Sequence, residues 1–217
     1  MLKVVHLNTY DGNGGAGRAC VRLNRALLSQ GIDSKIVVHY KFGKNPQIKT
    51  FNSNLIQKAY TAATIIGERI LAKGYLKPGR TPFSFAWFGR SVIHHPDVKN
   101  ADIIHLHWVN HSFLNPSHLA EIAKLNKPVV WTFHDSNAFT GGCHVRYTCD
   151  HFQRECGDCP LLKNASANDI SHQIWKQKNK AYQVLNFKVI APSGWMLNSV
   201  KSASLMIGKI RLKFQIL

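Results

Sequence analysis

The stretch "KVVHLNTYDGNGGAGRACVRLNRALLSQGIDSKIVVHY", residues 3–40, decides the fold of this chain. It opens with Lys3–Asn8, a short, mostly apolar run that ends in turn residues, which is typical of a buried strand. Apolar residues then recur at helical spacing up to Gly31, and glycine is the residue that most often ends a helix. Ser34–Tyr40 predicts a second strand. Such a strand–loop–helix–strand unit crosses over right-handedly into a parallel sheet.

The same alternation resumes after residue 100. A helix is predicted in "NPSHLAEIAKL", residues 115–125. Strands are predicted in "ADIIHLHW" (101–108), "KPVVWTFHD" (127–135) and "NFKVIAPSGW" (186–195), the last of which runs into a helix. Strands that alternate with helices predict an α/β fold with a doubly wound, Rossmann-like parallel sheet.

The composition of the chain limits its class and its partners. A chain of 217 residues with 45% hydrophobic residues suits one globular domain with an insertion. With 28 Lys and Arg against 11 Asp and Glu, the formal charge of +17 favours phosphates or an anionic membrane face. Nucleic acid is not expected as a partner, because no recognition motif accompanies the basic residues. The start of the chain does not resemble a secretory signal, so we expect a cytoplasmic location.

Leu55 to Pro96 is the one segment whose pattern suggests a membrane. Its first part predicts an amphipathic helix, and its second part interleaves basic and aromatic residues. The segment therefore predicts either a core helix followed by a packed loop or an element that lies peripherally at the inner face of an anionic membrane.

The glycine loop after the first strand allows two chemistries. Gly12, Gly14 and Gly17 match the G-x-G-x-x-G spacing of dinucleotide-binding folds. That site also needs an acidic residue at the end of the second strand, and there is no carboxylate between Asp33 and Glu68. An NAD(P)-dependent oxidoreductase therefore stays an alternative. More simply, glycines let backbone N–H groups approach a phosphate or a sugar hydroxyl.

In open α/β sheets ligands bind beyond the carboxyl ends of the strands. These ends place His107, His134 and Ser193 at one edge of the predicted sheet. Because His105 alternates with His107, we expect one of the two to point into the sheet packing, with His105 as a structural histidine. Asp135, which follows His134, either takes part in the site or caps the next turn.

Several motifs together resemble one enzyme family. They are G-G-A-G-R (14–18), H-L-H-W (105–108), T-x-H-D (132–135), T-G-G-C-H (140–144), "CGDCP" (156–160) and "APSGWM" (191–196). In this order they resemble the amino-terminal half of family 4 glycosyltransferases, in particular the colanic-acid-type enzymes of exopolysaccharide biosynthesis. The resemblance covers about residues 1–205. It implies a GT-B architecture and sugar transfer from a nucleotide-sugar donor to a saccharide or lipid-linked acceptor, with retention of configuration and no metal required for catalysis.

The resemblance also implies roles for individual residues. His134 and Asp135 would be catalytic, with His134 orienting the hydroxyls of the transferred sugar. Six further residues would bind substrates or line the site. Gly14, Gly15 and Gly17 would lie under the donor phosphates, and His107 and Trp108 would line the acceptor side. Ser193 would lie in a turn near the interdomain cleft.

The resemblance stops near residue 205. In the family a carboxyl-terminal domain carries the nucleotide-sugar pocket, and we expect this chain to lack it and to end in an aberrant tail, 206–217. Residues 1–205 would then form the acceptor-side domain, weak or inactive in transfer unless a separate carboxyl-terminal domain is supplied. A non-catalytic module that binds carbohydrate or an anionic membrane is the alternative.

A Cys-rich insertion, residues 141–164, holds four of the five cysteines: Cys143, Cys149, Cys156 and Cys159. Only the last two have the C-x₂-C spacing of a zinc site, with His144 and His151 as possible substitute ligands. Disulfides are not favoured, because the cytoplasm keeps thiols reduced. Structural zinc and free thiols that pack the loop both remain open.

Overall fold

A computed structural model of the chain describes residues 1–52, 54–79 and 82–207. Six parallel strands form one sheet in the order β3-β2-β1-β4-β5-β6. The strands are β1 (Lys3–Tyr10), β2 (Asp33–Tyr40), β3 (Ile48–Thr50), β4 (Ile103–Leu106), β5 (Val129–Thr132) and β6 (Lys188–Ile190). This order has the two mirrored halves of a Rossmann-like sheet, so the predicted α/β class is confirmed.

Six α-helices accompany the strands: α1 (Gly14–Ser29), α2 (Leu55–Tyr75), α3 (Pro96–Asn100), α4 (Pro116–Ile122), α5 (Ile170–Val184) and α6 (Gly194–Ser202). The sequence predicted α1, α2, α4 and α6, but not β3, α3 or α5. The strand and α3 are too short for a periodic pattern. The buried side of α5 includes Ser171, His172 and Lys178, so its hydrophobic pattern is weak.

The pleat of the sheet separates an apolar face from a histidine-bearing face. Val5 and Leu7 of β1 enter the main core with Ile104 and Leu106 of β4. The alternate positions point the other way, and there His6 pairs in register with His105.

The expectation that one of His105 and His107 points into the sheet packing and the other away from it was wrong, whereas the structural role expected for His105 is confirmed. Residues two apart on a strand share a face, and both rings are buried, with their centroids 4.2 Å apart. Both histidines therefore pack inside the protein, and His105 also bonds to Thr132 Oγ1 through Nε2 at 2.8 Å.

The loop between β1 and α1 depends on two glycines. Gly12 has a φ of 114°, which side-chain-bearing residues rarely adopt. A Cβ on Gly17 would lie 2.9 Å from the backbone nitrogen of Gly12, so the helix start and the loop touch backbone to backbone. This close approach lets α1 begin immediately beyond the end of β1.

Two sequence predictions concern parts of the chain at or beyond these limits. The predicted tail, 206–217, is described only through Ile207, and residues 208–217 lie outside the described residues. Arg80, part of the basic and aromatic segment, also lies outside them. None of the helices in the described ranges is both long enough and apolar enough to cross a membrane.

We expect Gly17→Ala to lower the free energy of unfolding by about 1–3 kcal/mol, because the added methyl group meets backbone atoms that cannot move aside. Gly15→Ala is the matched control in the same helical turn. Its Cβ would meet no atom within 4 Å, so alanine should be neutral or slightly stabilising there. Urea unfolding of the two variants measures the difference, and equal stabilities would contradict the packing argument.

Candidate functional site

The carboxyl ends of β1, β4 and β5 are tied together by side chains that bond to backbone. The Asn8 side chain accepts from the Trp108 N–H at 3.0 Å. The Thr9 hydroxyl is 2.8 Å from the carbonyl oxygens of both Trp108 and Asn110. These contacts hold the segment after β4 against the end of β1 and place the Trp108 indole over the sheet edge.

Asp135 makes hydrogen bonds to several segments at this edge. Its Oδ2 accepts from the Trp108 Nε1–H at 2.6 Å and lies 2.6 Å from His144 Nδ1, while its Oδ1 accepts from the Asn137 N–H at 2.9 Å. The contact with Asn137 also shows that Asp135 caps the turn that follows it, as the alternative interpretation expected. One carboxylate thus joins β4, β5 and the Cys-rich insertion.

The charge of Asp135 is stabilised by these donors. Burial by itself would raise its pKa, but the hydrogen bonds from His144, Asn137 and Trp108 more than offset burial, and the pKa lies below its ordinary value. Asp135 is therefore ionised at neutral pH with both oxygens engaged, which suits an anchor better than a proton acceptor.

His134 lies beside Asp135, at the end of the histidine-bearing face. Its Nε2 is 3.1 Å from His107 Nδ1, and its ring is partly exposed. His107 is only 3% exposed. His107 therefore has almost no surface for direct contact with a substrate, and it supports His134 from below.

The loop after β4 is held in an unusual backbone conformation. His111 and Ser112 have φ values of 53° and 62°, in the left-handed region that such residues seldom adopt. Tyr10 Oη is 2.9 Å from His111 Nδ1, and the Ser112 hydroxyl donates to Glu68 at 2.9 Å. Burial raises the pKa of Glu68, although the bond from Ser112 opposes the rise. Helix α2 therefore helps to shape the site loop.

An aromatic patch borders the site on the side of β2. We define it as Tyr10, Tyr40, Phe42 and Trp108. Tyr10 stacks on Trp108 with centroids 5.7 Å apart, and Tyr40 stacks on Phe42 at 5.8 Å. Phe42 is exposed, and the other three are partly exposed. The patch offers flat apolar surface next to polar groups, the usual composition of a ligand site.

Lys178 of α5 fixes the turn that follows Asp135. Its Nζ donates to the carbonyl oxygens of Asn137 at 2.5 Å and Thr140 at 3.0 Å. Burial lowers its pKa to about 8. The sequence analysis missed this residue, and it considered His144 only as a zinc ligand. The spacing within T-G-G-C-H was the available signal for His144, whereas a buried lysine in a polar helix gives none.

The remaining predicted site residues lie at the same edge but outside this hydrogen-bonded cluster. Gly14, Gly15 and Gly17 form the first turn of α1, where Asn13 precedes the helix without a capping side-chain bond. Ser193 caps α6, accepting from the Met196 N–H at 3.1 Å. Both helices begin beyond the carboxyl end of a strand, as the sequence predicted.

The four cysteines of the insertion carry free thiols. They line one small cavity together, and the Gly141 N–H donates to the Cys156 sulfur at 3.2 Å. Within the described ranges, His6, Cys20 and His107 form a group that could hold a metal ion, because their ligand atoms lie within 4.8 Å of one another. None of these three residues belongs to the insertion. Structural zinc on Cys143, Cys149, Cys156 and Cys159 stays a prediction, which elemental analysis of the purified protein tests.

We expect Asp135→Asn to lower stability by about 1–3 kcal/mol at neutral pH, because charge-assisted hydrogen bonds become neutral ones. The folded pKa of Asp135 is below its unfolded value, so its contribution is present above about pH 4. It is lost as the pH falls through the folded pKa. The gap between wild type and variant, measured by urea unfolding, should therefore shrink in acid.

Asp150→Asn is the control for Asp135→Asn. Asp150 is exposed, and its ion pair with Arg154 is long, at 3.7 Å. Its substitution should change stability little at any pH. A stability gap for Asp135→Asn that stays constant down to strongly acidic pH would contradict the role given to its charge.

Comparisons with known proteins identify a family and a relative that resemble this chain in sequence. The sequence profile of Glyco_transf_4, "Glycosyltransferase Family 4", matches residues 13–204. The "Putative colanic acid biosynthesis glycosyl transferase WcaC" of Escherichia coli (strain K12) is 23% identical over 209 residues, covering 93% of this chain and 51% of that protein. The chain thus spans about half the length of this relative.

A solved structure also matches the chain. It is titled "Crystal structure of a putative epimerase from Burkholderia cenocepacia J2315", with 11% identity and a TM-score of 0.34, covering 88% of this chain and 54% of that one. The family profile spans most of the chain, including the start of α1 and the Asp135 cluster. On that match, the chain belongs to glycosyltransferase family 4.

Proposed function

We propose that this chain is the acceptor-side domain of a retaining glycosyltransferase of polysaccharide biosynthesis. The observation that carries the proposal is the cluster at the carboxyl edge of the sheet, where Trp108, His134 and Asp135 lie together beside the aromatic patch. Membership of family 4 supports sugar transfer. The donor would be a UDP- or GDP-sugar, and the acceptor a saccharide or a lipid-linked saccharide.

The glycine loop would face the diphosphate of the donor. The first four N–H groups of an α-helix have no partner within the helix, and the helix dipole favours negative charge there. At α1 these groups belong to a turn with three glycines and no acidic residue. A diphosphate can therefore approach the backbone closely without meeting side chains or repulsive charge.

His134 would touch the transferred sugar, and Asp135 would hold its surroundings rigid. His134 is partly exposed and ends a buried chain of histidines, so it can bond to a sugar hydroxyl. The aromatic patch would take the apolar face of the acceptor. No residue of this edge needs a metal ion for these tasks.

A second domain would complete the enzyme. Departure of the diphosphate in sugar transfer needs positive or donor groups that are fixed in advance around it. Among the described residues, the start of α1 is the element to which we assign that role, and the chain spans about half of its E. coli relative. We therefore infer that a carboxyl-terminal domain supplies the rest of the donor site.

Helix α2 supports a membrane-bound acceptor. Its inward side is polar, with Thr61, Thr64 and Glu68 buried. We define the outer face of α2 by its exposed apolar residues Leu55, Ile56, Ile66 and Ile70, which are 56–81% exposed. The exposed cations Lys58, Arg69 and Lys73 flank this face. An apolar stripe beside cations fits the surface of an anionic membrane.

We expect transfer of labelled sugar from a UDP- or GDP-sugar to a saccharide acceptor when this chain is combined with the carboxyl-terminal domain of a family member. His134→Ala should reduce the rate by about tenfold or more, because a hydroxyl contact is lost. His94→Ala is the control, since His94 is an exposed histidine of the loop before α3. Product capture and mass spectrometry measure both rates.

The oxidoreductase and binding-module alternatives have different outcomes. Thermal stabilisation by NAD(H) or NADP(H), but by no sugar nucleotide, would count for the oxidoreductase and against transfer. Saccharide binding that leads to no transfer with any supplied domain would count for a non-catalytic module.

We expect the chain to sediment with vesicles that contain phosphatidylglycerol and to bind neutral phosphatidylcholine vesicles much more weakly. The double substitution Ile66→Asn and Ile70→Asn should weaken binding by about tenfold or more, because two apolar side chains no longer enter the lipid. Val184→Asn removes an exposed apolar residue from α5 instead and should leave binding unchanged. Equal binding by the double variant and wild type would refute the membrane role of α2.

A further inference from the structure

A continuous line of hydrogen bonds runs from the buried side of α1 to His134. The Ser34 hydroxyl donates to Asn24 Oδ1 at 2.8 Å and lies 3.1 Å from His6 Nε2. His6 Nδ1 lies 3.0 Å from His107 Nε2, and His107 Nδ1 lies 3.1 Å from His134 Nε2. We call these five residues the histidine relay. All of them except His134 are buried.

Each histidine of the relay is neutral at neutral pH. Burial lowers the pKa of His6 to about 4, holds the pKa of His107 well below its ordinary range and lowers that of His134. A neutral imidazole has one N–H donor and one bare nitrogen that accepts. His6 and His107 use both nitrogens within the relay, so each must donate on one side and accept on the other. All bonds of the relay therefore point in the same direction.

Asn24 decides which direction that is. Ser34 has a single hydroxyl hydrogen, and it is spent on the amide oxygen of Asn24. Ser34 must then accept from His6 Nε2–H, which leaves His6 Nδ1 bare. His6 in turn accepts from His107 Nε2–H, and the bare Nδ1 of His107 accepts from His134 Nε2–H.

We propose that Asn24 and Ser34, acting through His6 and His107, are positioning residues that hold His134 with its hydrogen on Nε2 and a bare Nδ1. Among the described residues, His134 Nδ1 has no hydrogen-bond partner, and the ring is partly exposed. The proposal rests on the proposed function in one respect, that the group meeting Nδ1 is a sugar hydroxyl. A hydroxyl can donate to this nitrogen, whereas an ether or carbonyl oxygen cannot.

The arrangement thus selects the chemical class of the ligand atom. Were the relay reversed, His134 would present an N–H and would favour carbonyl, ether or phosphate oxygens that only accept. The choice is made at Asn24, four hydrogen bonds away, where no substrate reaches because Asn24 and Ser34 are buried.

A bound metal ion is the competing use of the same residues. The sulfur of Cys20 lies within 4.8 Å of a ring nitrogen of His6 and of a ring nitrogen of His107. Both ring nitrogens of His6 and of His107 already take part in the relay, and burial raises the pKa of the Cys20 thiol to about 12, which keeps it protonated. A metal ion there would displace the hydrogen between the two rings and interrupt the relay.

The test reads the tautomer of His134 directly. Nitrogen-15 NMR of the ligand-free chain with labelled histidine distinguishes a protonated ring nitrogen from a bare one, and the His134→Gln spectrum assigns the signal. In wild type we expect hydrogen on Nε2. In Asn24→Leu the Ser34 hydroxyl hydrogen is free to turn to His6, which reverses every bond. His134 should then carry hydrogen on Nδ1, a shift in the tautomer ratio of about tenfold or more.

Ser34→Thr is the control, because it keeps both the hydroxyl and Asn24, and it should give the wild-type tautomer. Asn24→Ala removes the same acceptor and replaces the leucine variant if that variant does not fold. Hydrogen on Nδ1 of His134 in wild type would overturn the proposal and would mean that Asn24 faces Ser34 with its amide nitrogen. An unchanged tautomer in the Asn24 variants would also overturn it, as would one metal ion per chain lost on substitution of Cys20.

No sugar is present in this measurement. A failed transfer assay therefore leaves the tautomer result standing, and a wrong tautomer leaves sugar transfer untouched. The two proposals can fail separately.

Discussion

The hydrogen bonds between His6, His107 and His134 are the constraint on which the rest of the site depends. Burying such rings is costly unless their nitrogens are paired, because an unpaired polar group in the interior costs free energy comparable to the hydrogen bond it lacks. The pairing fixes the distance between β1, β4 and β5 at their carboxyl ends. The histidine relay thus replaces part of the apolar core on one face of the sheet. Its last residue, His134, reaches the surface at the sheet edge where ligands of such sheets bind.

Asp135 and α2 fix the segments on either side of the histidine relay. The carboxylate joins Trp108 to His144, so it connects the end of β4 to the Cys-rich insertion. On the other side, buried Glu68 accepts from Ser112 and keeps the site loop in a left-handed conformation. The polar side of α2 is needed inside for this purpose. Its apolar side is left outside, and one helix links the geometry of the site to the surface that we propose binds lipid.

The Cys-rich insertion serves as support. Cys159, Leu161 and Leu162 pack with Phe83 and Phe85 in a small core of their own. Gly141 shows how tight this region is, since a Cβ there would lie 2.1 Å from the Ser171 carbonyl oxygen. Lys178 of α5 also contacts this region, because its Nζ donates to the turn after Asp135. The insertion thereby places His144 against the Asp135 carboxylate.

The sequence by itself determined the parallel α/β sheet, its glycine loop and the edge at which His134 and Asp135 lie. Strand and helix periods, turn residues and the rule for strand ends are local or topological properties, so they can be read from spacing. The tertiary structure alone decided which groups pair. From the sequence, His105 and His107 were expected on opposite sides and His107 at the surface, and no site role was predicted for His6, Glu68 or Lys178. Hydrogen-bond partners such as His6 and His107 are 101 residues apart, and only strand order and register bring such residues within 3.0 Å.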